Sequence, residues 1–245
     1  VGMEFNPDTV RNEMVDFMAV AFSPVAVNKF CHTVLSSWVL GAVFVIGISC
    51  WFLLKKRDKE FAIASIKIGA IFGLVASVLT VWTGDGSGYA VAQTQPMKLA
   101  AVEGYYEGQN GAGLVAVGVL NPDKKTYDDG QNPFLFRIEI PKMLSFLAER
   151  KADAFVPGIK NIIEGGYELK DGTKALSAAE KIERGKKAIT ALGTYREAKK
   201  DGDEAAMQQA SATLKENVAY FGYGYIKDVN QLVPNVPLNF YAFRV

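Results

Sequence analysis

An apolar stretch at residues 24–54, PVAVNKFCHTVLSSWVLGAVFVIGISCWFLL, dominates the amino-terminal part of this chain. From Thr33 to Leu54 the stretch carries no charged residue. At ~1.5 Å per residue, a helix of this length can cross a hydrocarbon core of ~30 Å. His32, the only histidine of the chain, precedes this uncharged run, and a basic loop at residues 55–60 follows it. The sequence therefore predicts a transmembrane helix over residues 24–54.

A second apolar run, residues 61–84, returns from the basic loop. Lys67 interrupts it, close enough to the loop for its ammonium to reach the interface. The positive-inside rule places the basic loop at residues 55–60 in the cytoplasm, so His32 faces the outer side. Small residues repeat at every fourth position, as Ser65, Gly69, Gly73 and Ser77. Such a stripe predicts close packing against another helix.

The segments that flank the two spans are predicted from their local signals. Residues 1–23 have a helix-start signal at residues 6–9, with Asp8 or Thr9 as the cap, and an apolar face at helical spacing. We expect an amphipathic helix at the outer interface. The glycine-rich residues 84–88, GDGSG, follow a membrane helix and not a strand, so the context of a nucleotide-binding loop is missing. We expect a turn there that leaves the membrane.

Residues 85–238 are mixed and polar, which predicts a large domain outside the membrane. Residues 114–120 and 134–140 are β-prone and indicate a hairpin, and residues 142–154 indicate a helix. Two apolar faces at helical spacing flank residues 201–203, which predicts a helical hairpin. Residues 239–245 begin another apolar helix. The predicted fold class is an all-α membrane protein with a mostly helical extracytoplasmic loop domain that carries a short β-hairpin.

Composition excludes several classes of function. The net charge of +1 and the absence of a basic stripe argue against a nucleic-acid partner. Cys31 and Cys50 lie ~28 Å apart on one predicted helix and cannot pair with each other. One histidine and no usable cysteine pair make a zinc site formed by this chain alone, or a Ser/His/Asp triad, untenable. Without a starting methionine, the chain reads as part of a larger protein.

Three side chains are candidates for chemistry, each with a plainer alternative. His32 is either an interfacial histidine that is hydrogen-bonded to a neighbour, or an axial haem ligand above a water-poor helix. Lys98 and Glu103 are either solvated charges or functional groups. Five residues apart on a helix, they point ~140° away from each other and do not predict an ion pair.

Several motifs follow one another in a familiar order along the chain. They are Pro24-Val25-Ala26, Lys29-Phe30-Cys31-His32-Thr33, Gly41, Gly47-Ile48-Ser49, Leu54-Lys55-Lys56-Arg57-Asp58 and Gly84-Asp85-Gly86-Ser87-Gly88-Tyr89. Residues 98–103, KLAAVE, and residues 237–244, PLNFYAFR, complete the set. Together they resemble subunit I of the cytochrome bd-type quinol oxidases, whose corresponding motifs are KLAAIE and PLYFAFR. The resemblance covers the chain from end to end.

The resemblance implies roles for four residues. His32 matches the axial ligand of the low-spin haem b, and Arg244 matches an arginine near that haem, where its charge would offset propionate or ring charge. Lys98 and Glu103 match charged residues of the quinol-oxidation loop, the Q-loop, here residues 85–238. The second axial ligand would be a methionine two positions after Arg244, beyond Val245. The ligands of a high-spin haem b and haem d would lie on helices outside this sequence.

The predicted function is that of a terminal respiratory quinol oxidase in the bacterial cytoplasmic (inner) membrane. The resemblance implies ubiquinol or menaquinol as substrate, a second oxidase subunit, small accessory subunits and a Q-loop on the periplasmic side. Residues 104–107, GYYE, depart from the family's acidic-tryptophan pattern, which leaves the type of quinone open. The alternative is a two-span receptor or transporter component with a ligand-binding outer domain and no redox chemistry. Haem absorbance distinguishes the two.

Overall fold

The computed structural model of the chain describes residues 2–244. Its helices are α1 (Phe17–Ala21), α2 (Pro24–Leu54), α3 (Lys59–Thr94), α4 (Pro96–Glu103), α5 (Met143–Glu149), α6 (Ile159–Glu164), α7 (Ala178–Asp201), α8 (Glu204–Asn217) and α9 (Val236–Arg244). Its strands are β1 (Met3–Asn6), β2 (Arg11–Met14), β3 (Gln109–Asn110), β4 (Leu114–Leu120), β5 (Phe134–Ile140) and β6 (Phe155–Val156). Two 3₁₀ helices span Val218–Tyr225 and Val229–Leu232. The chain divides into a first unit, residues 2–3 and 14–90, and a second unit, residues 4–13 and 91–244.

The first unit contains two helices, α2 and α3, that are long and apolar enough to cross a membrane. Helix α2 has the predicted bounds, with Pro24 in its first turn and the Ser23 hydroxyl accepting a hydrogen bond from the backbone of Ala26. Helix α3 differs from the prediction, because it continues through residues 84–88 to Thr94. The expected turn at the glycine-rich segment is therefore wrong. A glycine costs a helix roughly 1 kcal/mol relative to alanine, and contacts with α2 described below account for its presence here.

The small-residue stripe of α3 packs against α2, as predicted. A Cβ atom at Gly69 would lie 3.0 Å from Ile46 Cγ1, and one at Gly73 would lie 2.9 Å from Ala42 Cβ. A distance under about 3 Å does not occur between real side-chain carbons. The two helices can approach this closely only because these positions of α3 lack side chains.

The amino-terminal segment is not the amphipathic helix predicted over residues 1–23. Strands β1 and β2 form a hairpin, and the helix is limited to α1, whose cap is Asp16 and not Asp8 or Thr9. Within the hairpin, Glu13 accepts hydrogen bonds from the side chains of Asn6 and Thr9. Tertiary contacts also hold it, since the Phe5 ring lies 5.5 Å from that of Phe221. Local helix signals were overridden by these pairings.

The second unit confirms the predicted β-hairpin, helical hairpin and final helix. Strands β4 and β5 pair antiparallel, and their inner side chains Val115, Leu120 and Phe134 are buried in the core. Gly202, at a φ of 73°, ends α7, and the Asp203 side chain caps α8. Helix α9 begins at Val236, slightly before the predicted start, and Val245 lies outside the described residues.

The helix predicted over residues 142–154 is shorter in the structure. Helix α5 ends at Glu149, where Arg150 takes a left-handed conformation with a φ of 58°. The chain then turns back so that β6 can pair with β3. The Ser145 hydroxyl donates to the carbonyl of Ala154, which holds this return against α5.

Candidate functional site

The imidazole of His32 lies between α2 and α3 and contacts one hydroxyl. Its Nδ1 is 3.0 Å from Thr83 Oγ1. Thr83 Oγ1 also lies 3.1 Å from the carbonyls of Leu79 and Thr80 in its own helix, and these carbonyls can accept its proton. In the tautomer with a proton on Nδ1, His32 donates to Thr83 Oγ1 and that hydroxyl keeps its own proton for the carbonyls. This tautomer leaves a bare lone pair on Nε2, which is the form of histidine that binds a metal.

The glycine-rich segment of α3 makes room for this histidine. A Cβ atom at Gly84 would lie 3.2 Å from His32 Cε1. One turn of helix earlier than His32, the Asn28 side chain donates to the carbonyl of Thr83 and to Ser87 Oγ, at 3.1 and 2.8 Å. The absence of side chains at Gly84 and Gly86 lets α2 and α3 meet at this level. Gly84 thus leaves space beside the imidazole of His32, Gly86 leaves space beside Asn28, and the segment stays helical.

Glu103 is a buried carboxylate at the end of α4. Pro96 starts this helix, and Gly104 ends it in the left-handed conformation, with a φ of 64°. The backbone N–H of Tyr105 donates to the carbonyl of Ala100, and that of Gly104 to the carbonyl of Ala101, which is a Schellman motif. A Cβ atom at Gly104 would lie 2.8 Å from Phe134 Cζ. The tight ending places Glu103, 4% exposed, against the core.

Arg244, at the end of α9, is the partner of Glu103. Its Nη2 donates to Glu103 Oε2 at 2.8 Å and to the carbonyl of Val115 at 3.1 Å. Its Nη1 donates to the carbonyls of Val102 and Phe240, at 2.6 and 3.3 Å. The guanidinium also lies over the Phe240 ring, 3.9 Å from its centroid. One side chain therefore connects α4, β4 and α9.

The environment of Glu103 affects its protonation in two opposite directions. Burial raises the pKa of the Glu103 carboxyl above its ordinary value, because a charged carboxylate loses hydration in the core. The charge of Arg244 and its hydrogen bond act the other way and lower that pKa. The net direction is upward. A carboxyl in this position can take up and release a proton at a higher pH than a solvated one.

Lys98 lies on the opposite, exposed side of α4. Among residues 2–244, its ammonium makes no hydrogen bond or ion pair with another side chain. The structure thus brings Glu103 and Arg244 together, leaves Lys98 apart from them, and places His32 in the first unit. The expectation that Lys98 and Glu103 do not form an ion pair is confirmed.

Sequence reasoning missed Thr83 as the partner of His32 and Arg244 as the partner of Glu103. The first could have been found, because Thr83 and His32 are nearly equally far along the chain from the loop at residues 55–58. Two antiparallel helices place such residues at the same height. The second pair is separated by 141 residues, and no sequence period connects it.

Comparison with known proteins shows the family to which this chain belongs. The sequence model of the family described as cytochrome bd terminal oxidase subunit I matches residues 1–245. The chain belongs to this family. It is a helical membrane protein, and its membership argues against the receptor or transporter alternative.

Known members of this family match all or most of the chain. Cytochrome bd-II ubiquinol oxidase subunit 1 of Escherichia coli strain K12 is 34% identical over 245 residues, 100% of this chain and 46% of that protein. Cytochrome bd ubiquinol oxidase subunit 1 of Bacillus subtilis strain 168 is 31% identical over 154 residues, 62% of this chain and 31% of that protein. The bd oxidase structure from Geobacillus thermodenitrificans shares the fold, with a TM-score of 0.56, 23% identity, and coverage of 100% of this chain and 50% of that chain. The chain spans about half the length of these relatives or less.

The residues around His32 fit the haem that the resemblance to cytochrome bd oxidases implies. Histidine ligands of metals usually donate their second ring N–H to an oxygen acceptor, which fixes the tautomer. His32 does so toward Thr83, and Gly84 leaves space beside the ring. The donor set of a single neutral imidazole is also what haem iron takes from one side.

Proposed function

We propose that this chain is the quinol-oxidising part of subunit I of a terminal respiratory quinol oxidase. Quinol is oxidised at the outer face of the membrane, and its electrons pass through a low-spin haem b to a high-spin haem b and haem d, where oxygen is reduced to water. Family membership supports this proposal. The observation that carries it is the buried carboxylate of Glu103, held by Arg244 in the segment that resembles the family's KLAAIE motif.

Glu103 is the proposed acceptor of a quinol proton. Oxidation of a quinol to a quinone releases two protons as two electrons leave, so a positioned base speeds the reaction. A solvated carboxylate is a weak base near neutral pH. The upward direction of the pKa of Glu103 makes it a better one, while the pairing with Arg244 keeps its ionised form accessible. One carboxylate oxygen is fixed by Arg244, which leaves the other for a quinol hydroxyl.

Lys98 is the proposed partner of a quinol oxygen. Its ammonium is exposed and is not engaged by the described side chains. A positive charge near that oxygen stabilises the negative charge that develops as the proton leaves. Glu103 and Lys98 thus have complementary tasks, the first accepting a proton and the second stabilising charge.

His32 is the proposed axial ligand of the low-spin haem b, through Nε2. When bound, this haem supplies a one-electron carrier. Arg244 is the proposed source of positive charge that offsets propionate or ring charge. Four of its five N–H groups are already donated inside the protein, so it would act on the haem through its charge.

The remaining assignments follow from the family relation and the charge pattern. We propose a bacterial cytoplasmic membrane location, with the Q-loop outside and the basic loop at residues 55–60 inside. Ubiquinol or menaquinol is the electron donor, and a second oxidase subunit and small accessory subunits complete the complex.

The quinol site is tested with Glu103→Gln and Lys98→Ala in the complete oxidase. Loss of a general base typically reduces a rate by ~10²–10⁴-fold, so we expect Glu103→Gln to lower quinol-driven oxygen consumption by that order. Lys98→Ala should also reduce it sharply. The haem spectrum should be intact in both, and oxidation of an artificial donor that bypasses the quinol site should survive.

Exposed charges of the same unit provide matched controls. Glu107 follows Glu103 by four residues, beyond the end of α4, and is exposed, and Lys200 is an exposed lysine of α7. Glu107→Gln and Lys200→Ala should oxidise quinol at wild-type rates. Near wild-type turnover by both Glu103→Gln and Lys98→Ala would place the quinol site elsewhere.

A further inference from the structure

Nearly all N–H groups of the Arg244 guanidinium donate hydrogen bonds to acceptors within the protein. Of its five N–H groups, two on Nη1 and two on Nη2 are donated to Val102, Phe240, Glu103 and Val115. Its side chain is only about one-fifth exposed, and it lies over the ring of the fully buried Phe240. A side chain held by this many contacts has a fixed position. What it can still do is orient and polarise the one acceptor that is itself chemically active, Glu103.

We propose that Arg244 is the positioning residue of Glu103, which fixes the orientation of the carboxylate and favours its ionised form for proton acceptance from quinol. This inference rests on the proposed function, in which Glu103 is the base. It adds a task for Arg244 that is separate from any effect on a haem. It also means that the end of α9 controls the chemistry at the end of α4.

The geometry around the pair supports a positioning role. Arg244 holds not only the carboxylate of Glu103 but also the carbonyl of the preceding residue, Val102, so side chain and backbone are fixed together. Helix α9 is held in place independently of Arg244. The backbone N–H of Leu120 donates to Tyr241 Oη at 3.0 Å, and the Phe240 ring packs edge-on against Phe134, 5.5 Å between centroids. The platform that presents Arg244 therefore survives its replacement.

The charge environment of Glu103 makes the role measurable. Arg244 is the charged residue whose field acts on the Glu103 carboxyl, and it lowers the pKa that burial raises. Helix α6, which also packs on α4, carries Lys160 and Glu164, and Lys160 is directed to Asp128 at 3.6 Å. Removing Arg244 should raise the pKa of Glu103 further. A base must be deprotonated to accept a proton, so activity would then be lost at a higher pH as the medium is acidified.

The test uses Arg244→Gln, Arg244→Lys, Glu103→Gln and the double variant Arg244→Gln/Glu103→Gln in the complete oxidase. Arg244→Gln should lower kcat for quinol on the order of 10²-fold near neutral pH, the effect of a misplaced catalytic group. The acid limb of its kcat/KM profile should move to higher pH. Arg244→Lys keeps the positive charge but not the planar set of N–H donors. The acid limb of its kcat/KM profile should therefore stay near that of the wild type, while kcat remains reduced.

The double variant separates positioning from a structural or haem-directed role. If Arg244 acts through Glu103, adding Arg244→Gln to Glu103→Gln should change the residual quinol rate less than about twofold, because residues that act as a unit are not additive. Arg196→Gln, an arginine that donates to the Asp8 carbonyl on another face of the unit, is the matched control and should leave both rate and pH profile unchanged.

The outcomes distinguish the positioning role of Arg244 from the proposed role of Glu103 as the base. Additive losses in the double variant, or an unmoved acid limb in Arg244→Gln, overturn the positioning role and leave Glu103 as the base. Wild-type turnover by Glu103→Gln overturns both, since no base is then left to position. Non-additive losses together with a shifted acid limb support the inference.

Discussion

At the scale of single residues, the decisive contact in the first unit is the hydrogen bond between His32 and Thr83. The Thr83 hydroxyl has two carbonyls of α3 within reach of its proton, so its oxygen can accept from the imidazole when Nδ1 of His32 is protonated. Nε2 of His32 is thereby kept as a lone-pair donor. A histidine without such a partner would exchange between tautomers and orientations, and would bind iron less well.

Substitutions at these two residues test the haem assignment. His32→Ala should abolish the reduced-band absorbance of the low-spin haem while the protein still inserts into the membrane. Thr83→Val should weaken haem affinity by roughly 10–100-fold, the usual effect of losing the partner of a histidine ligand. Thr83→Ser keeps the hydroxyl and should retain the haem as the wild type does. Both are measured as the ratio of low-spin haem to purified protein.

Thr80→Val is the matched control for Thr83→Val. The Thr80 hydroxyl donates to the carbonyl of Ala76 in the same helix and not to His32. The Thr80→Val variant should therefore retain the haem content of the wild type. An unchanged low-spin spectrum in His32→Ala would remove His32 as the ligand.

At the scale of elements, the contact between α2 and α3 depends on glycine. The backbone of α3 approaches α2 at Gly69 and Gly73, where a Cβ atom would overlap Ile46 or Ala42. The same reason explains the helical glycines Gly84 and Gly86, which lie against His32 and Asn28, respectively. In both places the absence of a side chain on glycine allows a contact between α2 and α3 that a larger residue would prevent.

Gly73→Leu tests this packing. Overpacking a close contact typically destabilises a protein by ~1–3 kcal/mol, so the variant should show a lower thermal unfolding temperature in detergent. Gly47→Leu is the control, because no described atom lies within 4 Å of a Cβ at Gly47. Leucine is the better helix former, so this control should be neutral or slightly stabilised. Equal unfolding temperatures for the two variants would contradict the close approach.

At the scale of the whole molecule, the proposed orientation in the membrane can be read from two positions. Arg57 lies in the basic loop, and Lys200 is exposed on α7 of the second unit. In a background with Cys31→Ala and Cys50→Ala, Lys200→Cys should react with an impermeant thiol reagent in intact cells. Arg57→Cys should react only after the membrane is permeabilised. The opposite labelling pattern would reverse the orientation and place the quinol chemistry on the cytoplasmic side.

The elements that could be predicted from the sequence are those whose signals are local. A long apolar run without charges is typical of a membrane helix and predicted α2, and two β-prone runs separated by turn residues predicted β4 and β5. The four candidate residues could likewise be named, from a family resemblance. These features depend on neighbours within a few positions along the chain, so a linear pattern contains them.

The use of the candidate residues depends on contacts between distant segments. The glycine-rich residues 84–88 predicted a turn, but this segment is helical, and Gly84 and Gly86 leave room for side chains of α2. The first residues form a hairpin because Phe5 and Asp8 have partners on distant elements. For Glu103 the sequence left open a solvated charge or a functional group, since no local rule places an arginine 141 residues away against it. Burial and long-range pairing arise from the three-dimensional approach of segments remote in sequence, and they raise the pKa of Glu103 and give His32 its partner Thr83.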